Sequence, residues 1–206
     1  SLESDYVFPL LKCSDLANER LEPERFVIVP QRRVGDDTAL IAANAPRTWR
    51  YLNSHRKQFE ARKSSIYSSR APFAIFGVGE YSFAPWKVAV SGLHRTVRFA
   101  LVGPVDGKPV LFDDTCYFLP FDDEEEARVV ADILNSPECA EFLACLTFTD
   151  SKRPITVELL QRLNIRAVAQ DAGLADAWSA ARKRRVHYSA EPASMQAEFV
   201  MERPEK

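Results

Sequence analysis

The chain has 206 residues, 46% hydrophobic and 27% charged, with a formal net charge of −2. This composition supports one large domain, or a domain with an appendage, and excludes global disorder. A net charge this small gives by itself no reason to expect a polyanion partner.

Apolar runs stay well short of the ~18 residues of a membrane span and no signal peptide is evident, so no membrane partner is expected. Cys13, Cys116, Cys139 and Cys145 lack CxxC spacing. They point to a reducing, cytoplasmic setting without a disulfide or zinc framework. The chain opens on Ser1 rather than methionine, as expected of a piece of a longer polypeptide.

In chain order, Tyr6 to Leu11 reads as a short strand or extended docking segment, and Arg25 to Val29 as a buried strand ended by Pro30. Asp36 or Asp37 caps a short helix to about Asn44. Pro46 opens one amphipathic helix to about Lys63, with Trp49, Leu52 and Phe59 on one face and Arg47, Arg50, Ser54 and Lys57 on another. Phe73 to Phe76 reads as a strand, and Trp86 to Val90 as another beyond a glycine loop. Val97 to Val102 and Lys108 to Phe112 flank Asp106-Gly107, a hairpin signal. Thr115 to Leu119 is a further strand.

The pattern then turns helical. Asp122 caps a helix whose apolar face carries Val129, Val130, Ile133 and Leu134. Pro137 opens the next, and Thr156 caps a third to about Leu163, stopped by Asn164 in a left-handed conformation. Ala175 to Val186 forms an alanine-rich helix. The expected fold is α+β: a mixed β-sheet with flanking helices, strand-rich in its first two thirds and helical in its last. A domain over residues 1–169 is followed by a C-terminal helix and tail over 170–206.

Charge is unevenly placed. From Arg47 to Arg70, seven Lys or Arg stand against one acid, Glu60; from Asp106 to Glu126, eight acids stand against Lys108. The basic run is followed by Gly77-Val-Gly-Glu-Tyr-Ser-Phe-Ala-Pro-Trp-Lys87. A phosphate-cradling loop needs a helix behind its glycines, and Pro85 stands where that helix would run. The loop therefore reads as a tight turn, or as backbone brought close to nucleic acid. Phe83 and Trp86 read as core, Tyr81 and Lys87 as surface groups able to meet a base or phosphate. His55 and His94 have no partner at metal-ligand spacing. Asp113-Asp114 reads as a turn rather than a cation site.

Phe76-Gly-Val-Gly-Glu-Tyr-Ser-Phe-Ala-Pro-Trp-Lys-Val88 resembles the target-recognition region of the N6-adenine DNA methyltransferases of restriction–modification systems. Tyr51-Leu-x(6)-Phe59-x-x-Arg62, Asp113-Asp-Thr-x-Tyr-Phe118, Leu134-Asn-Ser136 and Phe148-x-Asp-x-Lys-Arg-Pro-Ile-Thr156 fit in the same order. The resemblance covers about residues 46–165. Members of that family carry a separate catalytic domain that binds S-adenosylmethionine and holds an Asn/Asp-Pro-Pro-aromatic motif. None of the 13 prolines here is adjacent to another.

The resemblance thus implies the DNA-reading part, non-catalytic and without a cofactor of its own. Its parent would be an adenine-specific methyltransferase using S-adenosylmethionine. The implied partners are double-stranded DNA and the catalytic domain of the same polypeptide. The implied DNA side comprises Arg47, Arg50, Arg56, Lys57, Arg62, Lys63 and Arg70 from the basic run and Gly77, Gly79, Tyr81, Ser82 and Lys87 from the loop. It also takes in His94, Arg95, Lys152 and Arg153, with the acidic residues Asp122 to Glu126 facing away. Two alternatives stay open: a small self-contained nucleotide-processing enzyme with its site beside Gly77–Tyr81 and Asp113-Asp114, and a protein-interaction module.

Overall fold

A computed structural model describes residues 1–33, 35–67, 70–95, 97–147 and 153–182. Its strands form two three-stranded sheets. In the first, β1 (Val7–Leu11) lies between β2 (Arg25–Ile28), antiparallel with Val7 opposite Ile28, and the parallel β5 (Leu111–Phe112). Pro9, which has no N–H to give a ladder, precedes the stretch paired with β5, where Leu10 meets Leu111. β2 is an edge strand and not a buried one: Phe26 is exposed.

In the second sheet, β3 (Trp86–Ser91) is central. It pairs antiparallel with β4 (Ala100–Val102) and, from Trp86 opposite Phe121 to Ser91 opposite Cys116, with β6 (Cys116–Phe121). The expected hairpin is a turn whose arms part. Asp106 and Gly107 both take positive φ, 50° and 73°, and Val105 and Lys108 exchange two backbone hydrogen bonds of 2.9 Å. The next pair along would be Pro104 and Pro109, neither of which can donate to a ladder. The chain therefore leaves β4 in one sheet and enters β5 in the other.

Helix α1 (Cys13–Ala17) packs between the sheets, where Leu11, Cys13 and Leu16 meet Ala89, Val102 and Cys116. The outer face of the second sheet, through Val88 and Val90, is covered by α5 (Glu124–Leu134), α6 (Pro137–Leu146), α7 (Val157–Leu160), α8 (Ile165–Asp171) and α9 (Ala175–Arg182). Side-chain caps start four of them: Asp123, Ser136, Thr156 and Asn164 each accept an amide hydrogen bond from three residues on. Asp123 rather than Asp122 fills the first position, and Asn164 begins a helix instead of ending one. Residue 169 lies within α8, and Trp178 of α9 is buried in the same core. The Asn135 amide completes this layer, accepting from the Phe99 N–H (2.9 Å) and donating to its carbonyl (2.8 Å) as a neighbouring strand would.

On the other side, α2 (Ile41–Asn44), α3 (Pro46–Ser54) and α4 (Arg56–Glu60) surround Ile41, Leu52 and Phe73. The single basic helix is two. Continuing it would require the Tyr51 carbonyl to accept the His55 N–H. That oxygen instead accepts from Ser54 Oγ (2.7 Å) and lies 2.9 Å from His55 Nδ1, and His55 N turns to Leu52 O. Phe73 to Phe76 is no strand. Phe73 sits at φ 66° with its ring edge-on to Trp49 (5.4 Å) and Phe59 (5.1 Å). Ile75 is held by the buried Gln31 amide, which donates to its carbonyl and accepts from its N–H, both at 3.1 Å.

Lys87 is not a surface group. It lies mid-sheet, 1% exposed, opposite Val102 and Pro120, and its Nζ donates to Ala84 O at 2.6 Å beside the Phe118 ring. A strand buried on both faces leaves an ammonium no water, and burial pushes its pKa down to about 7. Among the described residues no helix is long and apolar enough to cross a membrane.

Two outcomes are expected. Gln31→Leu keeps the volume but leaves both polar groups of Ile75 unpaired, and should cost about 2–3 kcal/mol by urea midpoint. Between pH 7 and 10.5 the unfolded chain carries a proton on Lys87 that the folded chain has lost. Lys87 therefore adds a rise in stability with pH of at most ~1.4 kcal/mol per unit in that window, and none below it. Compared by urea titration, the difference between Lys87→Met and the parent should favour Met most at pH 7 and below, shrinking steadily toward pH 10.

Candidate nucleic-acid interface

α3 begins without a side-chain cap of its own: Ala45 stands at the cap position. Glu3 supplies it from the start of the chain. Its carboxylate accepts from Arg47 N (3.0 Å) and Nε (3.1 Å) with one oxygen, and from Thr48 N and Oγ1 (both 2.7 Å) with the other. Desolvation pushes this carboxyl up, but hydrogen bonds from the Thr48 hydroxyl and the two amides outweigh it and hold the pKa at about 2. Arg47 thus faces a carboxylate. Arg50, one turn on, is exposed and shares an open, shallow cleft with Arg47, Tyr51 and Ser54.

Along α4 the cations divide by role. Arg56 is bound to Asn53 Oδ1 (2.8 and 3.1 Å), lies 3.8 Å from Glu60, and covers the Phe73 ring at 4.9 Å. Arg62 donates to Phe59 O (3.0 Å) and Ala74 O (2.6 Å) and stacks on Tyr67 at 3.8 Å. Both hold α4 to the 71–76 turn. Lys57, Lys63 and Arg70 are exposed.

The loop that follows is tied to itself. Gly77 takes φ 75°, which glycine permits, and its carbonyl accepts from the Tyr81 hydroxyl at 3.0 Å. Gly79 is extended, but a Cβ there would lie 2.5 Å from the Tyr81 ring, so its lack of a side chain permits the contact. Its N–H donates to Oγ of the buried Ser82 (3.3 Å), and residues 80–83 form one turn of 3₁₀ helix before Pro85. Lys87 holds the far end from beneath, through Ala84. The Gly77 carbonyl and the Gly79 N–H are thus both engaged within the loop itself. Asp113 forms a turn, accepting from Thr115 N (3.1 Å) and Oγ1 (2.6 Å), and among the described residues no cluster of three or more His, Cys, Asp or Glu could hold a metal ion.

The expected residues fall into two groups. The loop over 77–84 enters β3, and the segment with His94 and Arg95 leaves it, so about 17 Å of strand separates them. His94 is half-buried, its Nδ1 2.9 Å from Ser91 Oγ; Arg95 is exposed. Exposed Arg153 belongs to this second end, because a Cβ on Gly92 would lie 3.5 Å from Ile155 O. Lys152 lies outside the described residues. The acidic start of α5 stands at the Trp86 end, since Phe121 pairs with Trp86. It belongs to the helical layer on the Val88 face, away from Lys87 and Ala89.

Three exposed groups beside the loop were not singled out in the sequence. Gln31 brings Arg32 and Arg33 against Ile75, 44 residues away. Arg32 lies over the Phe83 ring at 4.6 Å and Arg33 pairs with Glu80. Phe76, read as the end of a strand, is 52% exposed. A polar Gln-Arg-Arg loop carries no local signal of this contact.

No protein-family model matches the chain. Over 170 residues, 82% of its length, it is 43% identical to Type II methyltransferase M.NspV from Nostoc sp. (strain ATCC 29411 / PCC 7524). The chain spans about a third of that relative, the match covering 35% of it. Similarity at this level supports a relationship between the chain and the Type II methyltransferases.

Proposed function

We propose that the chain is the DNA target-recognition part of an adenine-specific (N6) methyltransferase of a restriction–modification system. In this reading it performs no catalysis, and the S-adenosylmethionine site belongs to another part of the same polypeptide. The observation that carries the reading is the 43% identity to a stretch covering 35% of M.NspV. It is supported by exposed cations along α3, α4 and the connector after them, and by a loop whose glycine backbone is held by its own side chains. A cytoplasmic setting agrees with the free cysteines at 13, 116, 139 and 145.

Among the described residues, Arg50, Lys57, Lys63 and Arg70 are exposed and show none of the internal roles that engage Arg56, Arg62 and Lys87, and they are suited to phosphate contacts that set register on a duplex. Arg95 and Arg153, at the other end of β3, would lie about 17 Å from the loop, roughly five base pairs of duplex rise. The loop would approach the base edges between these anchors. The target adenine would turn out of the stack into a pocket of the catalytic part.

Binding of a 30-bp duplex, followed by fluorescence anisotropy from 50 to 300 mM salt, should weaken with a log–log slope of about −0.9 per phosphate neutralised. Replacing Arg50, Lys57 and Arg70 together by alanine should weaken binding and flatten that slope by roughly 2.7. Affinity indifferent to salt would refute the reading. In the same assay Lys87→Met should leave the slope unchanged, since its ammonium never reaches solvent.

A further inference from the structure

Phe76 is 52% exposed on a turn that is otherwise fastened on both sides. Before it, Phe73 is buried in the α3–α4 core and Ala74 O accepts from Arg62 at 2.6 Å. Next to it, Ile75 is locked by two hydrogen bonds to the Gln31 amide; after it, Gly77 O is held by Tyr81. Phe73 also adopts φ 66°, a backbone region unfavourable to a non-glycine residue that persists only where its surroundings enforce it. These contacts fix the backbone from which an aromatic ring projects into water. Pre-organisation of this kind favours binding, because little chain entropy is left to lose.

The surroundings indicate the class of occupant. Exposed Arg32 and Arg70 belong to the two segments that flank the turn in space and in sequence. An apolar protein surface laid over Phe76 would have to desolvate such cations without partners, which is costly. A nucleobase presents a π face of matching size, with phosphates on either side to meet the cations.

We propose that Phe76 stacks on a nucleobase of the bound duplex, its ring occupying space opened where the base stack is parted. This rests on the reading of the chain as a DNA-recognition part and adds to it the side chain that meets a base face. The cost of unstacking one step is repaid by the new ring–base contact and by the cation–phosphate contacts beside it.

The test uses the whole 206-residue chain and a duplex recovered by selection from a pool with 20 randomised base pairs. Phe76→Ala should weaken binding about 5- to 150-fold, the loss expected for one base–aromatic stack, with the salt slope unchanged because no phosphate contact is removed. Phe76→Trp should bind like the parent. Phe76→Leu, apolar but without a π face, should remain weakened. Parental binding by Phe76→Ala or Phe76→Leu, while the parent keeps its salt-dependent affinity, overturns the stacking role and leaves the DNA reading standing. If the parent selects no sequence and shows no salt-sensitive affinity, the DNA reading fails and this inference with it.

Discussion

The lodging of Phe73 between Trp49 and Phe59 is the contact on which the candidate interface depends. It joins a turn to two short helices that have little stability alone, since five to nine residues are too few for an independent helix in water. α3 and α4 keep their positions because their apolar faces close on this ring. Arg56 then covers it with its guanidinium plane, while Arg62 covers Phe59 and ties the Ala74 carbonyl. The same insertion fixes where Ala74 to Gly77 must run, and so aligns Ile75 with Gln31. One buried ring thereby sets the relative placement of the basic helices, the Arg32–Arg33 loop and the glycine loop.

The cations of the basic run accordingly serve two ends. Arg56, Arg62 and Lys87 are committed to carbonyls, rings and an amide oxygen within the fold, while Arg50, Lys57, Lys63 and Arg70 lie in solvent. Arg47 stands between, exposed yet shared with Glu3. A count of positive charge along the chain does not separate these roles. Side-chain exposure does, and it reduces the number of groups available to a polyanion without removing the excess.

Much of the architecture was legible because it is encoded locally. Prolines at the first turns of α3 and α6, and Asp, Ser and Thr caps before α5, α6 and α7, mark starts wherever the helices later pack. Asp106-Gly107 dictates its turn by backbone preference alone. What escaped depends on distant partners. Phe73 to Phe76 has the composition of a strand, and only the cavity formed by Trp49 and Phe59 makes it a turn. Lys87 is exposed by composition, but a place in a central strand between β4 and β6 buries it. Asn164 suits either end of a helix, and the chain after it decides which. At the candidate site the cationic stretch and the glycine loop could be read in one dimension; Phe76, Arg32 and their proximity could not.

The paired prolines at 104 and 109 bear on how the molecule assembles. A tight turn flanked by strands ordinarily zips into a hairpin within microseconds and seeds a sheet from nearby residues. Here the zipper stops after one pair, and β5 must instead find β1, with Leu111 meeting Leu10 across the breadth of the chain. Closing so long a loop before any reward from pairing slows the search. The first sheet is therefore expected to mature late, after the second sheet and its helical layer. The Gln31 loop and the basic helices, which rest on that first sheet, would take their final places only in the closing stage of folding.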